Sequence, residues 1–155
     1  MKLLFKQRLF SWFDSYDIYD ESGNTVYTVK GQLAWGHKLQ IYDASGANVG
    51  TVREVVFTFL PKFEIYVGGK FVGSISKRWS LFKPKYDIDF MGWSVQGNFL
   101  EWDYTVTDGS GRVVATIGKE IFRWTDTYSI EVEPQNALYA LAFTIAVDAE
   151  KCSRN

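Results

Sequence analysis

Apolar and polar residues alternate along several stretches of this chain before residue 134. The clearest stretch runs from Leu100 to Thr107, where the even positions are apolar and the odd positions are polar. Residues 62–67, 86–90 and 128–133 show a similar alternation. Because successive side chains of a strand point to opposite faces, each stretch predicts a strand with one apolar face. Roughly a dozen strands of the usual 5–6 residues fit before residue 134, about the number at which a sheet curls or closes.

Turn signals containing Asp, Ser and Gly separate neighbouring apolar runs at three places. They lie within residues 18–26, 41–49 and 106–114, and a Gly-Gly pair at 68–69 separates a further two runs. An Asp side chain can accept hydrogen bonds from the backbone of its own turn, and Gly adopts positive φ at little cost. The pattern therefore predicts four β-hairpins.

Residues 134–148 have a different composition. The segment opens with Pro134, is rich in Ala and Leu, and is apolar from Ala137 to Val147 except at Thr144. Pro suits the first turn of a helix, and a helix that is apolar around its whole circumference is buried on all sides. At about 1.5 Å per residue the helix is roughly 20 Å long, the length of a typical strand and too short to span a bilayer.

These elements predict a mainly β fold, an antiparallel closed or nearly closed barrel of about 12 strands around a central hydrophobic C-terminal helix. We expect one domain over residues 1–150 and a C-terminal tail over residues 151–155. The alternative is an ordinary amphipathic helix packed on one face of the sheet.

The composition excludes several classes of function. The 155 residues include 12 Phe, 9 Tyr and 6 Trp, but only one His and one Cys, and the net charge is −1. One Cys excludes an intrachain disulfide framework and a multi-Cys zinc site, and one His excludes His-rich metal centres. A near-neutral charge argues against a nucleic-acid partner. Lys6 and Arg8 interrupt any secretory h-region, so we expect a cytoplasmic protein.

The near-neutral total hides a strongly basic segment. Residues 62–85 contain six basic residues and one acidic residue, whereas residues 86–109 contain five acidic residues and no basic one. Cations that reach phosphates beside aromatics that settle at headgroup level suit an anionic membrane surface. The predicted lipid- or phosphate-binding residues are Lys77, Arg78, Trp79, Lys83 and Lys85. The alternative is a solvated edge strand whose lysines and Pro84 discourage pairing with other chains.

Other kinds of site find less support in the residues. An EF-hand-like loop needs alternating oxygen ligands and a Glu at its twelfth position, whereas Asp20, Asp43 and Asp108 stand alone in short turns. A glycosidase needs two carboxylates that converge on a cleft, but the acid pairs here fall on the wet faces of predicted strands. The pairs are Asp87 with Asp89 and Glu101 with Asp103.

The sequence also offers few residues for a covalent catalytic mechanism. A Ser or Cys nucleophile would need His37 as its base, the chain has no G-x-S-x-G elbow, and Cys152 follows the predicted helix. We therefore expect a non-enzymatic protein with no catalytic residue, no metal and no cofactor.

The order of several motifs resembles the LURP-one-related (YxjI-like) family over essentially the whole chain. The motifs lie in residues 6–11, 36–43, 92–104, 117–128 and 146–149. The resemblance implies the fold of the Tubby C-terminal domain and of phospholipid scramblases, a roughly twelve-stranded barrel around a hydrophobic helix. Tubby-type domains bind phosphoinositide headgroups and scramblases act on membrane lipids, while plant members similar to this chain are linked to defence. The family offers no catalytic motif, and His37 departs from the acidic residue that relatives tend to carry.

We therefore predict a binding module that associates with anionic phospholipid headgroups, peripherally at a membrane. One alternative is a protein-interaction or structural domain with a protein partner, joined through exposed strand edges and surface aromatics such as Trp12 and Trp79. An enzyme that uses His37 is the other alternative.

Overall fold

The computed structural model of the protein describes residues 1–6, 15–81, 85–98, 101–120 and 127–152. Trp12, Lys83 and Leu100, which carry predictions made above, lie outside the described residues.

The described residues form twelve antiparallel strands followed by a C-terminal helix. The strands are β1 (Lys2–Lys6), β2 (Ser15–Tyr19), β3 (Thr25–Ala34), β4 (Gly36–Asp43), β5 (Asn48–Glu54), β6 (Lys62–Val67), β7 (Lys70–Arg78), β8 (Lys85–Phe90), β9 (Ser94–Asn98), β10 (Asp103–Thr107), β11 (Val113–Glu120) and β12 (Thr127–Val132). Their hydrogen-bonded order is β8-β7-β6-β5-β4-β3-β2-β1-β12-β11-β10-β9. The two outermost strands, β8 and β9, are joined by residues 91–93, so the sheet returns to its own starting edge. The predicted nearly closed 12-stranded barrel is confirmed.

All four predicted hairpins are present, as β2–β3, β4–β5, β6–β7 and β10–β11. In the β4–β5 turn, the Ser45 N–H and hydroxyl donate to Asp43 Oδ1 at 2.9 and 2.6 Å, and the Ala47 N–H donates to the same oxygen at 3.0 Å. Asp108 accepts the equivalent three hydrogen bonds in the β10–β11 turn. Each carboxylate therefore holds its own turn, as the Asp-Ser-Gly pattern predicts.

The C-terminal helix lies inside the barrel. After a 3-10 turn at Pro134–Asn136, α1 (Ala137–Cys152) packs against β5, β6, β7 and β12. Every residue from 140 to 150 is buried. Because α1 is buried around its whole circumference, the central-helix prediction is confirmed and the alternative of a helix on one sheet face is wrong. No helix among the described residues has the length and apolarity needed to cross a membrane.

The predicted end of the helix was too early. α1 continues beyond Asp148, and Cys152 is its last residue rather than part of a segment after the helix. The polar residues Asp148 and Glu150 ended the apolar run in the sequence, but the helical backbone continues through both of them.

Aromatic side chains pack around α1. The ring of Phe143 lies 5.5 Å from that of Phe90 and 5.9 Å from that of Trp93. On another part of the wall, the rings of Phe5 and Tyr128 lie 5.9 Å apart. Aromatic residues therefore make up a large part of the barrel core.

Trp102 was predicted within a strand, but β10 begins one residue later, at Asp103. The backbone of Trp102 is left-handed, with φ of 56°. Its indole is nevertheless buried, with ring centroids 5.7 Å from Phe5 and 4.8 Å from Tyr128. The alternation correctly predicted that this side chain faces the core, although an irregular backbone and not a strand directs it there.

The connections between strands fall at two ends of the barrel because neighbouring strands run in opposite directions. One end carries residues 20–24, 44–47, 68–69, 91–93 and 108–112, and we name it the Asp-turn end. The opposite end carries the turn at Trp35 and the connections after β5 and after β7. The predicted site lies at this second end.

Candidate functional site

Four of the five predicted lipid-binding residues are described, and they gather at one end of the β7–β8 hairpin. Lys77 and Arg78 are the last two residues of β7, Trp79 follows them, and Lys85 begins β8. Arg78 is directly opposite Lys85 in the strand register. The Trp79 side chain is 67% exposed. The structure brings three cations and an exposed indole together, whereas Lys83 lies outside the described residues.

Nearby carboxylates neutralise only part of this positive charge. Arg78 Nη1 lies 3.3 Å from Asp87 Oδ1, and both side chains are more than half exposed. An exposed ion pair of this kind contributes about 0–1 kcal/mol and is weakened by salt. In the part of the chain that the structure describes, no carboxylate lies within 4.0 Å of the ammonium groups of Lys62, Lys77 and Lys85. The end of this hairpin therefore keeps a cationic surface.

Four further apolar side chains are exposed at the same end of the barrel. Leu81 belongs to the basic segment 62–85 found in the sequence, whereas the other three were not predicted. Trp35 is 83% exposed, Phe57 94%, Phe59 87% and Leu81 73%. We name these four residues and Trp79 the aromatic end. Large apolar side chains grouped on a surface mark an interaction site in soluble proteins. The Phe-Thr-Phe sequence at 57–59 has the alternation of a strand, so the local pattern does not reveal that both rings lie on the surface.

The three connections that form the aromatic end are neighbours in space. They join β3 to β4, β5 to β6 and β7 to β8, six strands that are consecutive in the sheet, so successive connections lie about 10 Å apart. A Cβ on Gly36 would come within 2.7 Å of Val56 Cγ1, which shows how closely the first two connections pack. The Lys77 N–H donates to the Pro61 carbonyl at 2.9 Å, and this hydrogen bond links the β5–β6 connection to the end of β7, where the β7–β8 connection begins. The exposed side chains therefore belong to one continuous surface.

The connection between β5 and β6 is ordered by its own hydrogen bonds. The Val55 N–H donates to the Lys62 carbonyl at 2.9 Å, and the Thr58 hydroxyl donates to the Val55 carbonyl at 3.1 Å. Phe57 has a left-handed backbone, with φ of 65°, a conformation that is rare for an aromatic residue and costs about 1–3 kcal/mol. The fold thus holds Phe57 in a strained conformation that leaves its ring in solvent.

The only histidine of the chain occupies the rim beside the aromatic end. His37 is the second residue of β4, and its backbone N–H donates to Glu54 Oε2 at 3.0 Å. Its Nε2 lies 4.0 Å from the same oxygen. His37 therefore lies beside a carboxylate, at a half-buried position of a strand. Among the described residues, no group of three or more His, Cys, Asp or Glu side chains could hold a metal ion.

Polar groups are also buried within the barrel near its aromatic end. Burial raises the pKa of the Tyr16 hydroxyl, and the nearby Asp148 carboxylate raises it further. Burial likewise raises the pKa of Tyr104; a hydrogen bond with Thr144 offsets part of that rise, and the Asp148 carboxylate raises the pKa further. Asp148 and Glu150 of α1 are both buried. The apolar pattern predicts a helix that ends at Asp148, and only the path of α1 through the barrel shows that Asp148 and Glu150 lie inside it.

The sequence relates this chain to one family. Residues 1–148 match the family model described as LURP-one-related. The chain belongs to the LURP-one-related family. The match spans all twelve strands and most of α1, and it confirms the resemblance drawn from the sequence motifs.

Two relatives of this LURP-one-related protein illustrate what is shared. The "Uncharacterized protein YxjI" of Bacillus subtilis (strain 168) is 29% identical over 150 residues, which cover 96% of this chain and 92% of that protein. The X-ray structure of the Arabidopsis thaliana protein AT5G01750 aligns with a TM-score of 0.66 at 21% identity, covering 95% of this chain and 88% of that one. Similarity at this level of identity shows a common fold.

Proposed function

We propose that this LURP-one-related protein is a non-enzymatic binding module that associates with anionic phospholipid headgroups at a membrane surface. The observation that carries the proposal is the common position of exposed cations and exposed aromatic residues at one end of the barrel. Lys and Arg are attracted to anionic lipid phosphates, and Trp settles at headgroup level. The association is peripheral, and the anionic cytoplasmic leaflet is the surface that this chemistry fits.

The described cations are sufficient for reversible attraction. Each Lys or Arg near an anionic surface contributes about 1 kcal/mol. Lys62, Lys77 and Lys85, which have no carboxylate of the described residues within 4.0 Å, would together contribute about 3 kcal/mol, which corresponds to a dissociation constant of roughly 6 mM from electrostatics alone, and Arg78 would add to this. Binding of this strength responds to salt and to lipid charge, so both can be used to test it.

The filled interior of the barrel supports the non-enzymatic part of the proposal. α1 and the aromatic residues packed against it occupy the centre of the barrel. A ligand would therefore meet the outer surface and the connections. The lone imidazole, on His37, lies beside Glu54 at the rim, in an arrangement that also suits a structural contact.

Flotation with phosphatidylcholine vesicles, with and without phosphatidylserine, tests the proposal. We expect the protein to float only with the anionic vesicles, and Lys77→Glu with Arg78→Glu to abolish flotation. Lys70→Glu with Arg112→Glu is the matched control, because it changes the net charge equally at the Asp-turn end. Binding that ignores lipid charge, or that both double variants weaken equally, would overturn the proposal.

A protein-interaction or structural role without lipid is the competing outcome. Trp79 would then be covered by a protein partner or a second copy of the chain. Analytical ultracentrifugation of the lipid-free protein distinguishes the two roles. A defined complex that Trp79→Ala dissolves, together with no flotation on anionic vesicles, would replace the lipid proposal.

A further inference from the structure

Cations and aromatic residues occupy different levels along the barrel axis at the aromatic end. Lys62, Lys77, Arg78 and Lys85 are all strand residues at or next to the strand ends. The five side chains of the aromatic end lie in the connections beyond the strands. From outside inwards, the protein therefore presents apolar side chains first and a rim of positive charge behind them.

A bilayer surface has the complementary order. The phosphates of an anionic leaflet lie outermost, and the apolar boundary lies beneath them, so a protein tip must carry its apolar groups in front of its cations to meet both. The five most exposed large apolar side chains of the described residues meet the first condition, and the four cations at the strand ends meet the second.

The cations do not converge on a pocket for one headgroup. Ile75 is buried in the core, so strand alternation places Lys77 on the inner side of β7 and Arg78 on its outer side. Lys85 pairs with Arg78 and shares its outer side. Charges on both sides of a sheet rim can attract several phosphates of a lipid surface, but they do not surround a single one.

We propose that the aromatic end inserts shallowly into an anionic bilayer, with Phe57 and Phe59 as its insertion residues and the rim cations at phosphate level. The ligand is then the bilayer surface itself and not an isolated headgroup. The inference rests on the proposed function. It adds that the ligand is an assembled bilayer, and it names the residues that enter that bilayer. The fixed, strained backbone of Phe57 keeps its ring in solvent, ready for insertion.

Vesicle binding by Phe57→Ala with Phe59→Ala is the central experiment. We expect the double variant to bind phosphatidylserine-containing vesicles at least about tenfold more weakly, because two apolar side chains no longer leave water. Phe71→Ala is the matched control, because Phe71 is an exposed Phe at the Asp-turn end. The salt dependence of the remaining binding should match that of the wild type, since no phosphate contact is lost.

A depth measurement gives an independent readout. Phe57→Trp adds a reporter at the tip to the native Trp35 and Trp79 of the aromatic end. We expect lipids brominated near the headgroup end of the acyl chain to quench a larger share of the fluorescence in this variant than in the wild type. Free inositol hexakisphosphate should compete no better than a simple salt of equal ionic strength.

The outcomes separate the inference from the function on which it rests. Wild-type protein that ignores anionic vesicles would overturn both. Wild-type protein that binds them, while the double alanine variant binds as tightly as Phe71→Ala and Phe57→Trp is quenched no more than the wild type, would overturn insertion and leave electrostatic adsorption. Strong competition by the free inositol phosphate would replace the bilayer with a single headgroup as ligand.

Discussion

The two ends of this barrel are both made of connections between antiparallel strands, yet they present opposite chemistry. At the Asp-turn end, Asp20, Asp43 and Asp108 accept hydrogen bonds from the backbone of their own turns. At the aromatic end, Trp35 and Phe57 are almost entirely exposed. The carboxylates of the Asp-turn end stabilise their turns through hydrogen bonds, whereas the apolar side chains of the aromatic end are exposed to solvent.

The requirements of folding explain the chemistry of the Asp-turn end but not that of the aromatic end. A short turn is well made from Asp, Ser and Gly, and the Asp-turn end follows that rule. Folding does not require an aromatic ring at Phe57, where the backbone is left-handed and the side chain has the highest exposed fraction of the large apolar residues described. A residue that costs stability and adds no core contact is most simply explained by function.

The largest expected effect is on stability, and it tests whether both ends of the barrel are held by the same core around α1. Phe143 is fully buried in α1 between the ends, and Phe143→Ala should lower the free energy of unfolding by about 3–5 kcal/mol, through lost contacts and a cavity. Urea unfolding measures this change. The exposed aromatic control, Phe71→Ala, should lose less than about 1.5 kcal/mol. Equal losses in the two variants would contradict a shared core around α1.

A smaller effect is expected from the Asp-turn end, and it depends on pH. Hydrogen bonds, above all from the Ser45 and Ser110 hydroxyls, lower the pKa of Asp43 and of Asp108 below the ordinary value of 3.8. The unfolded chain therefore takes up protons first as the pH falls. The stability that these turns contribute is complete above about pH 4 and decreases as the pH falls further.

Asp43→Asn with Asp108→Asn should remove that dependence in part. We expect a modest loss of thermal stability at neutral pH and a flatter decline below about pH 4 than in the wild type. Thermal unfolding followed by circular dichroism measures both. Asp89→Asn, on an exposed position of β8, is the control for the loss of a charge. Parallel pH curves for the double variant and the wild type would show that the turns do not use these carboxylates.

The smallest expected effect has the opposite sign and concerns the aromatic end. Asn tolerates the left-handed backbone better than Phe, so Phe57→Asn should raise the free energy of unfolding by about 0.5–1 kcal/mol. The same variant should bind anionic vesicles less tightly than the wild type. Urea unfolding and flotation on one preparation measure the two quantities. A variant that loses stability would show that the ring of Phe57 has a structural role.

Most of the fold was predictable because its causes are local. Alternation at residues 86–90 predicted β8, and the Asp-Ser-Gly turn signals predicted three of the four hairpins in their correct places. Two exceptions came from the backbone: Trp102 reaches the core from outside a strand, and α1 continues past Asp148. The hydrophobic pattern does not record a left-handed backbone, and it does not distinguish polar residues inside a helix from residues after its end.

The candidate site was predictable only where its residues are close in the chain. Lys77, Arg78, Trp79 and Lys85 were found because they share one basic segment. Trp35 and Phe57 were missed, since period-two alternation does not distinguish an aromatic residue in a connection from one in a core strand.

By itself, then, the sequence determined the strands, the turns and a helix that had to be buried, because periodicity, turn chemistry and apolar circumference act over a few residues. Only the tertiary structure decided which connections meet. The order of β3 to β8 in the sheet brings Trp35, Phe57 and Trp79 to one end, and the path of α1 takes Asp148 and Glu150 inside the barrel. These placements depend on strand pairing and helix position across the whole chain, which no local pattern records.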